Sequence, residues 1–337
     1  MNIYDISKLA GVSTATVSRV INGADNVKPS TRDKVLNVIE KNGYTPNAFA
    51  RGLGLNTMNS VGIMCVDSSD LYIAKAVYCI EGELRENGYH TILTCTGFDR
   101  KGKEESLSML LAQHVDCIIF AGSAFIDDNN DKNNKYIYDA ADIVPVMILN
   151  ACLDHPNIHC VLCDDSIATR DAALFLIDNG RRDILYLYNS RTYSAVRKVA
   201  GYRKAFELRR MSCDERYLQF FEGSSRDING VCNFVTSLRR SGLNFDAILT
   251  LDDLLAIGAV KYALRNSISI PDELSIMGYN NSIFTVCCEP EISSVDNRLE
   301  SMCKNLVSIC LDVLSGREAP KKSMFSGMLV HRKTTLL

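Results

Sequence analysis

The spacing of apolar residues changes at about residue 60 of this 337-residue chain. Before that point, apolar residues recur every three or four positions within short segments, which is the period of an amphipathic helix. Three such segments predict three short helices within residues 1–46, the third starting at Pro29. Gly11 permits the sharp turn that must separate the first two.

After residue 60, short apolar runs alternate with longer segments of helical period. Such runs are typical of strands buried on both faces, and their alternation with helices predicts parallel sheets covered by helices. The pattern restarts near residue 158, so we expect two α/β units of similar size with a ligand cleft between them. The predicted strands are 61–66, 89–94, 116–120, 144–149, 158–163, 184–188, 247–250 and 274–279.

The predicted domain organisation follows from this change of pattern. Residues 1–46 form a three-helix head, and residues 47–59 form a linker. The first lobe comprises residues 60–160 and 292–322, and the second comprises 161–291 and 323–337. The last segment, with a helix predicted over 299–314, crosses back to both lobes. The predicted fold class is therefore α/β, with a small helical head in front of a two-lobed core.

The second helix of the head presents small and polar groups outward. Val17, Val20 and Ile21 repeat at helical spacing on its buried side, and Ser13 is placed to cap its start. The residues left facing outward are Thr14, Ala15, Ser18 and Arg19. A helix-turn-helix presents such a surface to base edges in the major groove. The alternative is a plain helical hairpin that binds nothing.

Wider matches decide between these alternatives. The chain contains Ala10-Gly11-Val12-Ser13 and Thr16-Val17-Ser18-Arg19-Val20, followed by Ile21-Asn22, Gly43-Tyr44, Pro46-Asn47-Ala48 and Ala50-Arg51. In these segments it resembles the lactose-repressor (LacI/GalR) family of bacterial transcriptional regulators. Further matches lie at 201–202, 250–259, 270–279 and 290–295, so the resemblance extends over nearly the whole chain. It implies a helix-turn-helix head and a periplasmic-binding-protein-like core that senses a small molecule.

The resemblance also implies which head residues contact DNA. Thr14, Ala15 and Arg19 occupy base-reading positions, and Arg19 suits bidentate contact with guanine. Ser13, Thr16 and Ser18 are expected at phosphates. The remaining DNA-binding positions are Asn22, Tyr44, Asn47 and Ala50, together with Leu53. That leucine stands where the family wedges a hinge side chain into the minor groove.

The effector site follows from the same resemblance. Asp164, Arg197, Asp252 and Asn280 stand at effector-contacting positions, although Arg197 alternatively lies on a solvated helix face. Further candidates in the cleft are Asp70, Tyr72, Phe125 and Tyr193.

Three positions depart from the family pattern. A carboxylate and an amide are exchanged between the Asp252-Asp253 and Asn280-Asn281 pairs, and Asp165 replaces a usual asparagine. The extra negative charge favours a neutral polyol-like or cationic effector over a phosphorylated one. Whether the altered cleft binds a sugar-like molecule at all stays open at this point.

Composition narrows the class of protein. The first 58 residues carry seven Lys/Arg and four Asp/Glu, while the whole chain has a net charge of −3. A basic head on an acidic body suits a DNA-binding module joined to a sensor. The 13 cysteines lie mostly in apolar runs, which predicts buried free thiols. Cys160 and Cys163 should point to opposite faces of one strand, so we expect no metal site there.

The predicted function is that of a DNA-binding regulator, expected to be a repressor. It should bind a palindromic double-stranded operator as a homodimer, since one helix-turn-helix reads only a few base pairs. The alternatives are a solute-binding protein and an enzyme. An enzyme is disfavoured because the chain has no phosphate loop, complete glycine fingerprint or nucleophile elbow. We expect no cofactor, no membrane segment or signal peptide, a cytoplasmic location, and no tetramer built on a leucine-heptad tail.

Overall fold

The computed structural model describes residues 1–24, 26–44, 57–127 and 131–336. The head contains three helices: α1 (Ile3–Ala10), α2 (Thr14–Ile21) and α3 (Pro29–Lys41). Gly11 has a φ of 60°, the left-handed conformation that the turn between α1 and α2 requires. The core of the head consists of Ile6, Ala10, Val17, Val20 and Val35. The three predicted helices and the turn are therefore confirmed.

The first lobe is built on a six-stranded parallel sheet. Its strands are β1 (Ser60–Cys65), β2 (His90–Cys95), β3 (Cys117–Ala121), β4 (Val146–Leu149), β5 (Ile158–Cys163) and β11 (Lys322–Phe325). The strand order is β11-β5-β4-β3-β1-β2. Its helices are α4 (Leu71–Glu86), α5 (Arg100–Ala112), α6 (Asp131–Ala141) and α12 (Leu299–Leu314). Helices α4 and α12 pack on one face of the sheet and α5 and α6 on the other.

The second lobe repeats this architecture, with strand order β12-β10-β9-β8-β6-β7. All neighbours in this sheet are parallel except the edge strand β12, which runs antiparallel to β10. Its strands are β6 (Ile184–Tyr188), β7 (Leu218–Phe220), β8 (Ala247–Thr250), β9 (Ser275–Tyr279), β10 (Ser293–Asp296) and β12 (Met328–Val330). Its helices are α7 (Asp165–Asp178), α8 (Tyr193–Leu208), α9 (Ile228–Arg240), α10 (Asp253–Arg265) and the short α11 (Phe284–Cys287).

The points at which the chain crosses between lobes differ from the predicted boundaries. Strand β5 lies entirely in the first sheet, whereas the predicted boundary at residue 160 divides it. Strand β10 lies in the second sheet, although residues from 292 onward had been assigned to the first lobe. Strand β11 belongs to the first sheet throughout, beyond the predicted end at 322. An apolar pattern predicts that a strand exists, but its sheet is decided by pairing with residues distant in the chain.

The prediction of buried thiols holds for seven of the 13 cysteines, whereas Cys95 and Cys287 are exposed and the other four are half-buried. Cys160 and Cys163 are buried in different core clusters on opposite faces of the first sheet. All 13 cysteines are free thiols. Within the described ranges, no group of three metal-ligating side chains comes together. None of the described helices has the length and apolar character needed to cross a bilayer.

Candidate functional site

Helix α2 presents a short polar surface on the head. Ser13 caps it by accepting a hydrogen bond from the backbone N–H of Thr16 at 3.1 Å, and the two hydroxyls share a second bond of 2.9 Å. Ala15 and Arg19 are exposed and lie one helical turn apart on the same face. Thr14, Thr16 and Ser18 are half-buried beside them. The predicted outward face of this helix is therefore present.

Two further residues predicted to contact DNA, Asn22 and Tyr44, are half-buried in the head. The Asn22 amide nitrogen donates to Ser18 Oγ at 3.5 Å, and its carbonyl oxygen is buried without a partner. Tyr44 is half-buried and packs against the core of the head. Both residues thus contribute to the packing of the head as well as to its surface. Asn47, Ala50 and Leu53 lie outside the described residues, as does most of the predicted linker.

A cavity of about 480 Å³ lies between the two lobes, and we call it the interlobe chamber. Four of the eight predicted effector residues line it: Asp70 and Tyr72 from the first lobe, and Asp252 and Asn280 from the second. Asp70 accepts a hydrogen bond from the backbone N–H of Ile73 at the start of α4. Asp252 accepts one from Leu255 at the start of α10. Two helix N-termini beside the chamber are therefore already capped by carboxylates.

Phe125 and Tyr193 lie outside the chamber but beside it. They line an adjoining cavity of about 840 Å³, which we call the outer groove. Tyr136 donates a hydrogen bond from its hydroxyl to the carbonyl oxygen of Phe125 at 3.0 Å, which fixes that wall of the groove.

Asp164 and Arg197 do not line the chamber, so the structure does not bring these two predicted residues together with the other four. Asp164 caps α7 by accepting a hydrogen bond from the N–H of Ile167. The Arg197 guanidinium stacks on the ring of Tyr193, 3.4 Å from its centroid. Successive helical residues are rotated by about 100°, so Arg197 and its neighbour Lys198 project in different directions.

Lys198 is one of two cationic side chains that line the chamber, and sequence reasoning missed it. A signal was available, because Ala195, Lys198 and Tyr202 repeat at the three- to four-residue spacing of a buried helix face. The Lys198 ammonium donates to the carbonyl oxygen of Leu251 at 3.2 Å. It also lies 3.5 Å from the centroid of the Tyr279 ring.

Asp165 contacts the hydroxyl of Tyr279 and provides negative charge that acts on Lys198. Its carboxylate accepts hydrogen bonds from the hydroxyls of Tyr279, at 2.6 Å, and Ser194. Burial raises the pKa of Asp165, and the charge of Lys198 opposes that rise. Burial lowers the pKa of Lys198, and Asp165 and Asp252 oppose that change. We call Asp165, Ser194, Lys198 and Tyr279 the buried polar cluster.

Two residues at the exchanged positions, Asp253 and Asn280, are held in place by hydrogen bonds within the second lobe. Asp253 is buried and accepts hydrogen bonds from the N–H of Ser282 and the hydroxyl of Ser294, both at 2.6 Å. Burial raises the pKa of Asp253 to about 6. Asn280 has a φ of 95°, a backbone conformation that asparagine tolerates better than most residues. Its side-chain carbonyl accepts a hydrogen bond from Asn297 at 3.1 Å.

An ion pair joins the two lobes at the edge of the chamber. The Arg226 guanidinium, from the second lobe, contacts Asp67 of the first lobe and donates to Ser69 Oγ at 2.7 Å. Hydrogen bonds from Ser69, followed by the one from Arg226, lower the pKa of Asp67 to about 2. We call this contact the interlobe bridge, and it favours the closed arrangement of the lobes seen in this structure.

Comparison with known proteins finds matches for both the helical head and the two-lobed core. Residues 2–47 match the model of bacterial regulatory proteins of the lacI family. Residues 173–335 match a periplasmic binding protein-like domain. An HTH-type transcriptional regulator of Lachnoclostridium phytofermentans is 49% identical over 99% of this chain and 99% of its own length. The chain belongs to the LacI family of bacterial regulatory proteins.

Solved structures of LacI-family proteins have the same architecture. The lac repressor dimer bound to operator and the anti-inducer ONPF superposes with a TM-score of 0.88 over 100% of this chain and 99% of that one, at 22% identity. A complex of the transcriptional regulator CelR with cellobiose superposes with a TM-score of 0.71 at 25% identity, covering 99% of both chains. The predicted fold class and family are thus confirmed, and the protein is a transcriptional regulator rather than an enzyme.

Proposed function

We propose that this LacI-family regulator binds a palindromic operator as a homodimer in the bacterial cytoplasm and represses transcription until a small molecule enters the interlobe chamber. The observation that carries the proposal is the presence, in one chain, of an exposed polar helix face on the head and a polar chamber between two lobes. The comparison with the Lachnoclostridium regulator supports it, because the similarity spans both parts. A solute-binding protein would have no use for the head.

On the DNA side, Arg19 reads a guanine, and Thr14 and Ala15 approach neighbouring bases. The hydroxyls of Ser13 and Thr16 lie at the N-terminus of α2, where backbone N–H groups and the helix dipole attract a phosphate. Leu53 is the proposed hinge side chain that enters the minor groove of the operator.

On the effector side, we propose a neutral polyhydroxylated ligand of the sugar class. Four acidic and two basic side chains line the chamber: Asp67, Asp70, Glu222 and Asp252, against Lys198 and Arg226. Asp67 and Arg226 already pair in the interlobe bridge. A phosphate group would therefore meet carboxylates at the helix N-termini that usually attract it. Hydroxyl groups, in contrast, both donate to carboxylates and accept from Lys198.

The test combines operator selection with effector screening. Full-length protein is used to select duplexes from a random pool, and binding of the enriched duplex is measured by fluorescence anisotropy with neutral sugars and sugar phosphates. We expect a palindromic consensus, and release of that duplex by a neutral sugar. Arg19→Ala should weaken binding to the consensus by roughly 1–3 kcal/mol and affect random DNA less. Enrichment of no palindrome would refute the DNA part, and release only by phosphorylated compounds would refute the effector class.

A further inference from the structure

The interlobe chamber adjoins the outer groove. The two cavities share six lining residues: Phe98, Ala124, Asn189, Ser190, Thr192 and Glu222. A ligand held in the chamber therefore lies beside a second space that is larger than the chamber itself, about 840 Å³ against about 480 Å³. A single sugar ring bound in the chamber would not occupy the groove, which would stay filled with water.

Phe98 stands at the junction of the two cavities. It lies in the loop between β2 and α5 and leaves 69% of its surface exposed, although it belongs to a concave region. Isolated exposed aromatic residues are common on protein surfaces. Phe98 is different because it lines both cavities of a proposed ligand site. An exposed aromatic ring there provides an apolar surface on which the C–H face of a sugar ring can pack.

The opposite wall of the junction is polar and comes from the second lobe. Ser190 donates to the hydroxyl of Thr192 at 3.4 Å, and the Asn189 amide donates to the carbonyl oxygen of Gly223 at 3.5 Å. Both bonds are long, so these groups can exchange them for ligand hydroxyls at little cost. An apolar platform facing hydroxyl and amide groups suits a ring that has one apolar face and a polar rim.

The cations of the groove do not favour an anionic ligand. Arg100 is bonded to Glu104 at 2.7 Å, and Lys103 donates to the carbonyl oxygen of Ala124 at 2.7 Å. Arg191 stacks on the ring of Phe220, 4.7 Å from its centroid. These three side chains are therefore occupied in shaping the wall of the groove, and the charge of each is partly compensated.

From these observations we infer that the outer groove is a second glycosyl subsite and that the effector is a disaccharide, with one ring in the chamber and the next packed on Phe98. This inference rests on the proposed effector function and specifies the size of the ligand. Phe98 contributes to specificity for chain length, since a ligand with two rings packs its second ring on the side chain at the junction, whereas a single ring in the chamber meets only its edge of that cavity.

Calorimetry with full-length protein tests the inference. The probes are glucose, galactose, mannose and xylose, and the disaccharides cellobiose, lactose, maltose, mannobiose and xylobiose. We expect one disaccharide to bind at least tenfold more tightly than its monosaccharide. Phe98→Ala should weaken that disaccharide roughly three- to tenfold, the range expected for loss of an aromatic contact, and should weaken the monosaccharide less. Ile143→Ala is the matched control, because Ile143 is similarly exposed (67%) and does not line either cavity.

The outcomes separate this inference from the proposed function. If a monosaccharide binds as tightly as any disaccharide and Phe98→Ala changes neither, the second subsite is refuted while the sugar effector stands. If Phe98→Ala weakens mono- and disaccharide equally, the assignment of Phe98 to the second ring is refuted. If no sugar binds or releases a bound operator, both the effector class and this inference are refuted.

Discussion

Replacing Lys198 by methionine should destabilise the second lobe, because the change removes a cation whose charge opposes the cost of burying Asp165. Lys198 is 5% exposed and Asp165 is 2% exposed, and both contact Tyr279. Methionine is close to lysine in length and is apolar, so the substitution removes the charge with little loss of volume.

The size of the effect follows from what Asp165 retains. Breaking a buried ion pair by removing one partner costs about 3–5 kcal/mol. Lys198 acts on Asp165 without a direct ion pair, and Asp165 keeps its hydrogen bonds from Tyr279 and Ser194 in the variant, so we expect an effect below that range, about 2 kcal/mol. For a domain of this size each kcal/mol lowers the melting temperature by about 2–4 °C, which gives a decrease of roughly 4–8 °C.

The assay is a double-mutant cycle followed by thermal unfolding at pH 7.5. Lys198→Met together with Asp165→Asn should recover at least half of the loss, because neither charge remains buried. The loss in the single variant should also become smaller as the pH is lowered, because burial raises the pKa of Asp165 and its protonation removes the uncompensated charge. Lys204→Met is the control on the same helix, since Lys204 forms only an exposed pair with Glu207. A double variant as unstable as Lys198→Met, or an unchanged melting temperature in that single variant, would refute the reasoning.

Three further changes test other parts of the molecule. Arg226→Gln removes the interlobe bridge to Asp67, a partly exposed contact worth up to about 1 kcal/mol. The ratio of closed to open molecules should therefore fall by up to about fivefold. An unchanged radius of gyration by small-angle scattering would count against a role of this contact in closing the lobes. The Asp253 carboxyl has a pKa of about 6 in the folded protein, above its ordinary value of 3.8, so its ionisation costs roughly 3 kcal/mol of folding free energy. The free energy of unfolding should therefore fall as the pH rises from about 4 through about 6. Asp253→Asn should flatten that part of the urea-unfolding profile, and an identical pH slope in variant and natural protein would contradict the assignment. Leu53→Ala should abolish tight operator binding in anisotropy while sugar binding persists, and full operator affinity would exclude the hinge role.

The local pattern of the sequence was sufficient for most of the elements and for the class of protein, although it did not predict helix α6 or strand β7. Gly11 and the cap at Ser13 are readable because a turn and a helix start depend on residues within a few positions. The burial of Cys160 and Cys163 on opposite faces follows from the two-residue period of a strand. Family motifs, which are also local, were sufficient to identify a LacI-family regulator.

Tertiary structure decided which strands share a sheet and which side chains meet in the cleft. Strand β5 lies in the first sheet and β10 in the second because of their pairing partners, and the residues of neither strand specify its sheet. Lys198 enters the chamber and Arg197 does not, because one step along α8 rotates the side chain by about 100° and the orientation of that helix is set by its packing. Asp67 and Arg226 are 159 residues apart, and only the approach of the two lobes brings them together. Contacts of this kind depend on the whole arrangement of the chain, so no short window of sequence contains them.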